Sequence, residues 1–378
     1  MDVLVNATTL VKGGGVQVAT SFIVEAERAA ADDIVWHYAL SAEVDRELQA
    51  LGVRPANSVV YEASPAKNKA QRRALLAREA ELSPDVVFTV FGPAFVRFES
   101  PHLMGVGNGW VTHSTLAAFR SLGFPVRSAK AFLAAIYKGL WVRHADRWVV
   151  EAENSRQGLI NRLRLGADKI TVVPNVCGSI FREAAVEDAV LPAANEPVRL
   201  LYLAAWYGHK NIQSIPKVAA ELKQLAPQRK ITFVITVPDD EPALPGLLKE
   251  ATRLGVSDYI ENVGRVPFAD IVTLYESCHA CFMPSLLETF SANYPEAMAT
   301  GRPLIASDFD FSRSICRDTA TYFDASSPRA AAEAIAGLLD SPARWQASID
   351  RGRSLVDALP SPRGKYEAYE DLIRKTAG

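Results

Sequence analysis

Short apolar runs alternate with longer stretches of helical period along the whole chain. Such alternation restricts the fold to parallel sheets whose strands are joined by helical crossovers. Strands are expected at Val3–Asn6, Asp33–Tyr38, Ser58–Glu62, Val86–Val90, Leu103–Val106, Arg147–Val150 and Lys169–Val173. Helices fit Val16–Ala30, Ala42–Leu51 and Ala66–Glu81, with Gly13–Gly15 as a loop after the first strand. Residues 184–197, rich in alanine, proline and acids, read as a linker between domains at 1–183 and 198–359. Beyond it the alternation restarts, with strands at Arg199–Ala204, Ile231–Thr236, Tyr259–Asn262, Cys281–Met283 and Leu304–Ala306. Three helical stretches close the chain, the last at Pro362–Lys375 within a terminal segment 360–378. The 378 residues, 49% hydrophobic, exceed the size of one core and agree with two domains.

Charge and cysteine usage narrow the function. A net charge of −2 gives no whole-chain attraction to nucleic acid. Four cysteines, Cys177, Cys278, Cys281 and Cys316, are too few for a disulfide scaffold. The start, Met1 to Asn6, has no basic segment ahead of its apolar run, and no long apolar stretch appears anywhere. The expectation is a cytoplasmic protein.

The richest chemistry lies in Leu286–Gly301, between apolar runs at Ala280–Met283 and Pro303–Ala306. The intervening turn therefore falls at the carboxyl end of a strand, where open α/β sheets bind ligands. Pro295 suits the start of a helix and Gly301 its end, so the helix is expected from about Asn293–Pro295 to Gly301. Thr289, Phe290, Ser291 and Ala292 then form a turn whose amides suit a diphosphate. Glu288 and Glu296 flank this turn. A carboxylate accepts from two neighbouring hydroxyls at once, as a ribose or hexose presents them.

Glu288-x7-Glu296, after Pro284-Ser285 and before Ala297-Met298-Ala299-x-Gly301-x-Pro303, resembles the signature of retaining glycosyltransferases of family 4. Val198–Asn211, Tyr259–Arg265 with Tyr275, and Ala145–Asn175 are similar to further segments of that family. The resemblance implies the GT-B fold, two Rossmann-like doubly wound domains facing across a cleft, with segment 360–378 crossing back to the first. It also implies transfer of a hexosyl group from a nucleoside diphosphate sugar, without a metal or other cofactor. By the same resemblance, Glu288 holds the donor sugar, Glu296 the ribose, and Lys210 the phosphates. The family usually carries an arginine shortly before this lysine. Here Ala204–His209 stands instead, so His209 or Arg265 supplies the second charge or it is missing. Arg265 and Val266 are expected near the base or phosphates. Gly14 and Gly15 are expected near the donor phosphate or the acceptor, since glycine permits close backbone approach. Asn108 and His113 occupy the stretch where many members have a histidine; Asn108 is a candidate for orienting the sugar and His113 for assisting the acceptor. The implied acceptor is a glycan or lipid-linked molecule in surface polysaccharide or glycolipid synthesis. Two alternatives stay open: a GT-B nucleotide-sugar epimerase, and a non-catalytic sugar-nucleotide or glycan-binding module.

Other signals have plainer readings. Asp308-Phe309-Asp310 mimics a metal-binding Asp-x-Asp in the wrong architecture, and Cys278-His279-Ala280-Cys281 lacks a second nearby pair of ligands. No metal is expected. Arg120–Arg147 holds six basic residues and one acidic residue, with Phe124, Phe132, Ile136, Leu140 and Trp141 interleaved. That stretch suits an anionic membrane surface, which would make the protein peripheral on the inner face of the plasma membrane. It equally suits a core helix with a solvated basic face.

Overall fold

The computed structural model describes residues 1–11, 13–29, 33–123 and 125–378. Ala30, the expected end of the first helix, and Phe124 of the basic stretch lie outside them. The chain forms two compact units. One comprises Met1–His113, Ala129–Asn175 and Pro360–Gly378; the other comprises Ser114–Ser128 and Val176–Leu359.

The first unit is built on seven parallel strands: β1 (Asp2–Ala7), β2 (Val35–Ser41), β3 (Ser58–Tyr61), β4 (Val86–Thr89), β5 (His102–Gly105), β6 (Arg147–Val150) and β7 (Ile170–Val172). Their order is β3-β2-β1-β4-β5-β6-β7. Val5 of β1 registers with Tyr38 on one side and Phe88 on the other. These central strands are buried on both faces, which is why they read as unbroken apolar runs. The terminal helix Pro362–Ala377 belongs to this unit. Ser361 caps it, its Oγ accepting from the Gly364 amide at 3.0 Å. Tyr366 and Tyr369 then join Phe22, Trp36 and Phe88 in one aromatic core, with ring centroids 5.1–6.4 Å apart.

Six parallel strands make the second unit: β8 (Val198–Tyr202), β9 (Ile231–Ile235), β10 (Ile260–Asn262), β11 (Ala280–Met283), β12 (Leu304–Ser307) and β13 (Ala320–Phe323). They run in the order β10-β9-β8-β11-β12-β13. Phe233, Phe282 and Phe323 contact in series across this core at 5.3 Å spacings. Residues 184–197 carry no helix or strand but are fastened to the unit. Trp345 Nε1 donates to Ala189 O at 2.7 Å, and Arg302 Nη1 donates to Glu187 O at 2.7 Å.

Three local expectations are corrected. The first helix starts at Gly14, not Val16, because Gly13 takes the left-handed conformation (φ +72°) and turns the chain one residue later into the helix. The helix expected from Ala66 starts at Lys69, since Asn68 Oδ1 caps it by accepting from the amides of Ala70 (2.9 Å) and Gln71 (3.2 Å). The edge strand β13 was not expected. Its sequence, Ala-Thr-Tyr-Phe, buries only Phe323 fully, so it lacks the apolar run that betrays an inner strand.

Candidate functional site

In both sheets the strand order reverses beside the first strand, between β1 and β4 and between β8 and β11. Connections leaving the carboxyl ends of such a pair diverge to opposite faces and open a crevice. In the second unit those connections are Leu203–Lys210 and Pro284–Ala292. Hydrogen bonds join them: Leu286 N donates to His209 O at 2.7 Å, and Asn293 Nδ2 donates to Leu203 O. Tyr202 OH donates to Lys210 O at 3.3 Å, and Asn211 turns the chain in the left-handed region (φ +59°).

This framework brings Lys210 Nζ to 2.5 Å from Glu288 Oε1, with the two side chains 18% and 10% exposed. Ser285 Oγ donates to the same carboxylate oxygen at 2.9 Å. Two partners on one oxygen fix the direction of the Glu288 carboxylate. Glu296 lies in the first turn of the helix Asn293–Ala299, which Gly301 closes with φ +66°. Tyr275 OH donates to Glu296 Oε2 at 3.1 Å. Burial pushes Glu296 up to about 7, against the lowering effects of that hydrogen bond and of the Lys210 charge. One ammonium therefore acts on both carboxylates, by contact on Glu288 and through space on Glu296. The arrangement offers a cation beside two acceptors, suited to a ligand with an anionic centre and hydroxyls at either end.

The neighbouring candidates divide. His209 stacks on Tyr207 with ring centroids 5.5 Å apart, and burial lowers its pKa below the usual histidine value. A neutral imidazole at pH 7 gives hydrogen bonding rather than a second positive charge. Arg265 is exposed and Val266 half-buried, just after Gly264 (φ +71°) at the carboxyl end of β10. Thr289 and Phe290 are half-buried and Ser291 is buried; the Ser291 carbonyl accepts from Tyr294 N at 3.2 Å and so shapes the turn into the helix.

Four candidates lie in the first unit. Gly14 and Gly15 open the helix after β1, and a Cβ at Gly15 would stand 3.1 Å from Leu10. Asn108 begins the short helix Gly109–Thr112 beyond β5; its Oδ1 is buried with no hydrogen-bond partner among the described residues. His113 ends that helix, with Nδ1 2.7 Å from Thr112 Oγ1 and Nε2 3.3 Å from Asn154 Nδ2.

Among the described residues no group of three or more His, Cys, Asp or Glu side chains is placed to hold a metal ion. Asp308 is paired with Arg313, whose Nη2 donates to Asp308 Oδ2 at 2.8 Å. His279 Nδ1 accepts from the Arg199 amide at 3.0 Å, and Cys278 and Cys281 are buried. Sequence reasoning passed over Ser285 and the role of Tyr275. Ser285 stands three residues before Glu288, a spacing that allows contact within a turn. Tyr275 stood out only as part of a family-like segment; its contact with Glu296 depends on the packing of its helix.

Known proteins resemble the chain in its second unit and in its fold. Residues 185–354 match the model of the family described as "Glycosyl transferases group 1". The chain is 28% identical over 226 residues to D-inositol 3-phosphate glycosyltransferase 2 of Catenulispora acidiphila, covering 56% of this chain and 52% of that protein. It thus spans about half the length of the curated relatives it matches. In three dimensions it is similar to a glycosyltransferase from Rickettsia africae ESF-5, at 15% identity and a TM-score of 0.73, over 99% of this chain and 98% of that one. It is also similar to Anabaena HepE in complex with UDP and glucose, at 13% identity and a TM-score of 0.68, over 99% of both chains. The fold is GT-B, with two Rossmann-like units.

Proposed function

We propose that the protein is a retaining glycosyltransferase that moves a hexosyl group from a nucleoside diphosphate sugar to a glycan or lipid-linked acceptor in surface polysaccharide or glycolipid synthesis. The observation that carries this reading is the Lys210–Glu288 pair at the second switch point, with Glu296 under the influence of the same ammonium. The match over residues 185–354 supports glycosyl transfer as the class of reaction. The HepE complex with UDP and glucose supports a nucleotide sugar as donor, and uridine as the first base to try.

In this reading Lys210 faces the diphosphate, where negative charge grows as the bond to the sugar breaks, and stabilises the transition state electrostatically. Glu288 accepts from hydroxyls of the transferred sugar, and Glu296 from the ribose. His209, the turn Thr289–Ser291 and Arg265 with Val266 complete the donor side. Gly14, Gly15, Asn108 and His113 are the candidates for the donor phosphate, the sugar or the acceptor. The acceptor oxygen bonds to the anomeric carbon on the face from which phosphate departs, and the departing phosphate oxygen takes the acceptor proton. No metal enters the scheme.

The test is to incubate the purified protein with UDP-, GDP- and dTDP-sugars, with and without acceptors, and to measure free nucleotide. An inositol phosphate belongs among the acceptors, since the Catenulispora relative is named for one. Nucleotide release that requires acceptor, with an α-configured product from an α-configured donor, is the expected result. A changed sugar still attached to its nucleotide would make the protein an epimerase. Binding without turnover across the panel would make it a binding module.

A further inference from the structure

The helix Pro125–Val142 leaves a broad apolar stripe exposed. Six of its large apolar side chains, Val126, Phe132, Leu133, Ile136, Tyr137 and Leu140, are exposed, from 46% at Tyr137 to 64% at Val126, while Trp141 is half-buried and Val142 buried. Leu133, Ile136, Tyr137 and Leu140 follow the three- and four-residue spacing of one helical stripe. The face turned to the protein carries small residues along its middle and Trp141 and Val142 at its end. Ala131 and Ala135 are half-buried, and Gly139 is buried close enough that a Cβ there would stand 3.0 Å from Leu163. Burial of Trp141 and Val142 accounts for one side of the helix but not for the exposed stripe of Leu133, Ile136, Tyr137 and Leu140.

Charge decides what covers the stripe. Residues 125–143 contain four basic side chains, Arg127, Lys130, Lys138 and Arg143, and no acidic one. Arg127, Lys130 and Arg143 are exposed, as is Arg120 just before the helix. A second copy of the chain would bring like charge against like charge across the stripe. An anionic lipid surface accepts the apolar side chains among its acyl chains and the basic ones at its headgroups. No helix among the described residues is long and apolar enough to cross a membrane, so this one lies along the interface rather than spanning it.

We propose that the helix Pro125–Val142 docks the protein on an anionic membrane, with Leu133, Ile136 and Leu140 inserted and Arg127, Lys130 and Arg143 on the headgroups. The proposal is independent of the glycosyl-transfer reading, since it needs no donor and no turnover. The experiment is co-sedimentation of the full chain with vesicles of phosphatidylcholine alone, or with about one-third phosphatidylglycerol, at low and high salt. The expected result is binding to the anionic vesicles that weakens with salt. Leu133→Glu with Ile136→Glu should lower the partition coefficient at least about tenfold. Arg127→Ala with Lys130→Ala should lower it about fivefold per residue on anionic vesicles only. All four positions are exposed, so circular dichroism and melting temperature should match the unsubstituted protein. Absence of sedimentation with either vesicle, or binding unchanged by both pairs of substitutions, would overturn the proposal. So would a dimer in sedimentation velocity that Leu133→Glu converts to monomer, for a second copy would then cover the stripe.

Discussion

At the scale of single residues, the proposed function rests on Glu288, Lys210 and Glu296. Glu288→Gln keeps the shape and most hydrogen bonding but loses the charge that answers Lys210. It should lower turnover about 10²-fold or more, the cost of misplacing a reacting group, with melting temperature little changed. Steady-state kinetics on whichever nucleotide sugar of the panel turns over checks this, and unchanged turnover would remove Glu288 from sugar positioning. Glu296 makes a pH prediction. Its folded value is raised from 4.5 to about 7, so its contribution to stability is fully present below 4.5 and lost as pH rises through about 7. If Glu296 binds ribose as proposed, donor binding should run the opposite way, because ribose hydroxyls favour the ionised carboxylate. Affinity for a nucleotide sugar, whose diphosphate does not titrate in this range, should tighten as pH rises from about 6 to about 8. Glu296→Gln should flatten that dependence in calorimetry; a slope that persists would assign it to another group. The two glutamates were legible from the sequence because spacing and flanking residues mark them. The contacts of Ser285 and Tyr275 with them were not, since a hydroxyl acquires its meaning only from the packing that aims it.

At the scale of elements, the inner strands were readable because burial on both faces leaves no room for polar alternation. Helix ends were read less well. Asn68 and Gly13 decide where two helices begin, through a side-chain cap and a left-handed turn that apolar periodicity does not register. The strand β13 escaped for a related reason, having an edge position and a single buried side chain. Spacing along the chain also does not tell that β11 lies beside β8, the adjacency that brings Glu288 to Lys210. One element gives a sharp test. Gly158, in the helix Glu153–Leu163, faces the short helix between Asn108 and His113, and a Cβ there would stand 2.1 Å from Thr112 O. Because the clash is with backbone, no rotamer relieves it. Gly158→Ala should destabilise the protein by about 1–3 kcal/mol or more in chemical denaturation. A neutral substitution would mean that the two helices pack less closely than described.

At the scale of the whole molecule, the terminal helix completes the first unit's core through Tyr366 and Tyr369 and also brings a charge inside. Lys365 Nζ lies 3.3 Å from Glu151 Oε1 and 2.7 Å from Asn175 Oδ1, with both charged side chains nearly out of water. Burial lowers the Lys365 pKa and raises that of Glu151. Lys365→Met should cost about 3–5 kcal/mol in chemical denaturation by leaving Glu151 buried and unpaired, and adding Glu151→Leu should recover most of it. Failure of the double substitution to recover would show that the lysine's worth lies in packing rather than charge. The central claim concerns the other unit: the crevice between β8 and β11 grips a nucleoside diphosphate through Lys210. Calorimetric titration of UDP into the protein and into Lys210→Ala tests it most directly. Loss of a hydrogen bond to a charged group, about 1.5–3 kcal/mol, predicts an affinity roughly 10- to 100-fold weaker in the variant. Equal affinity in the two proteins would contradict it.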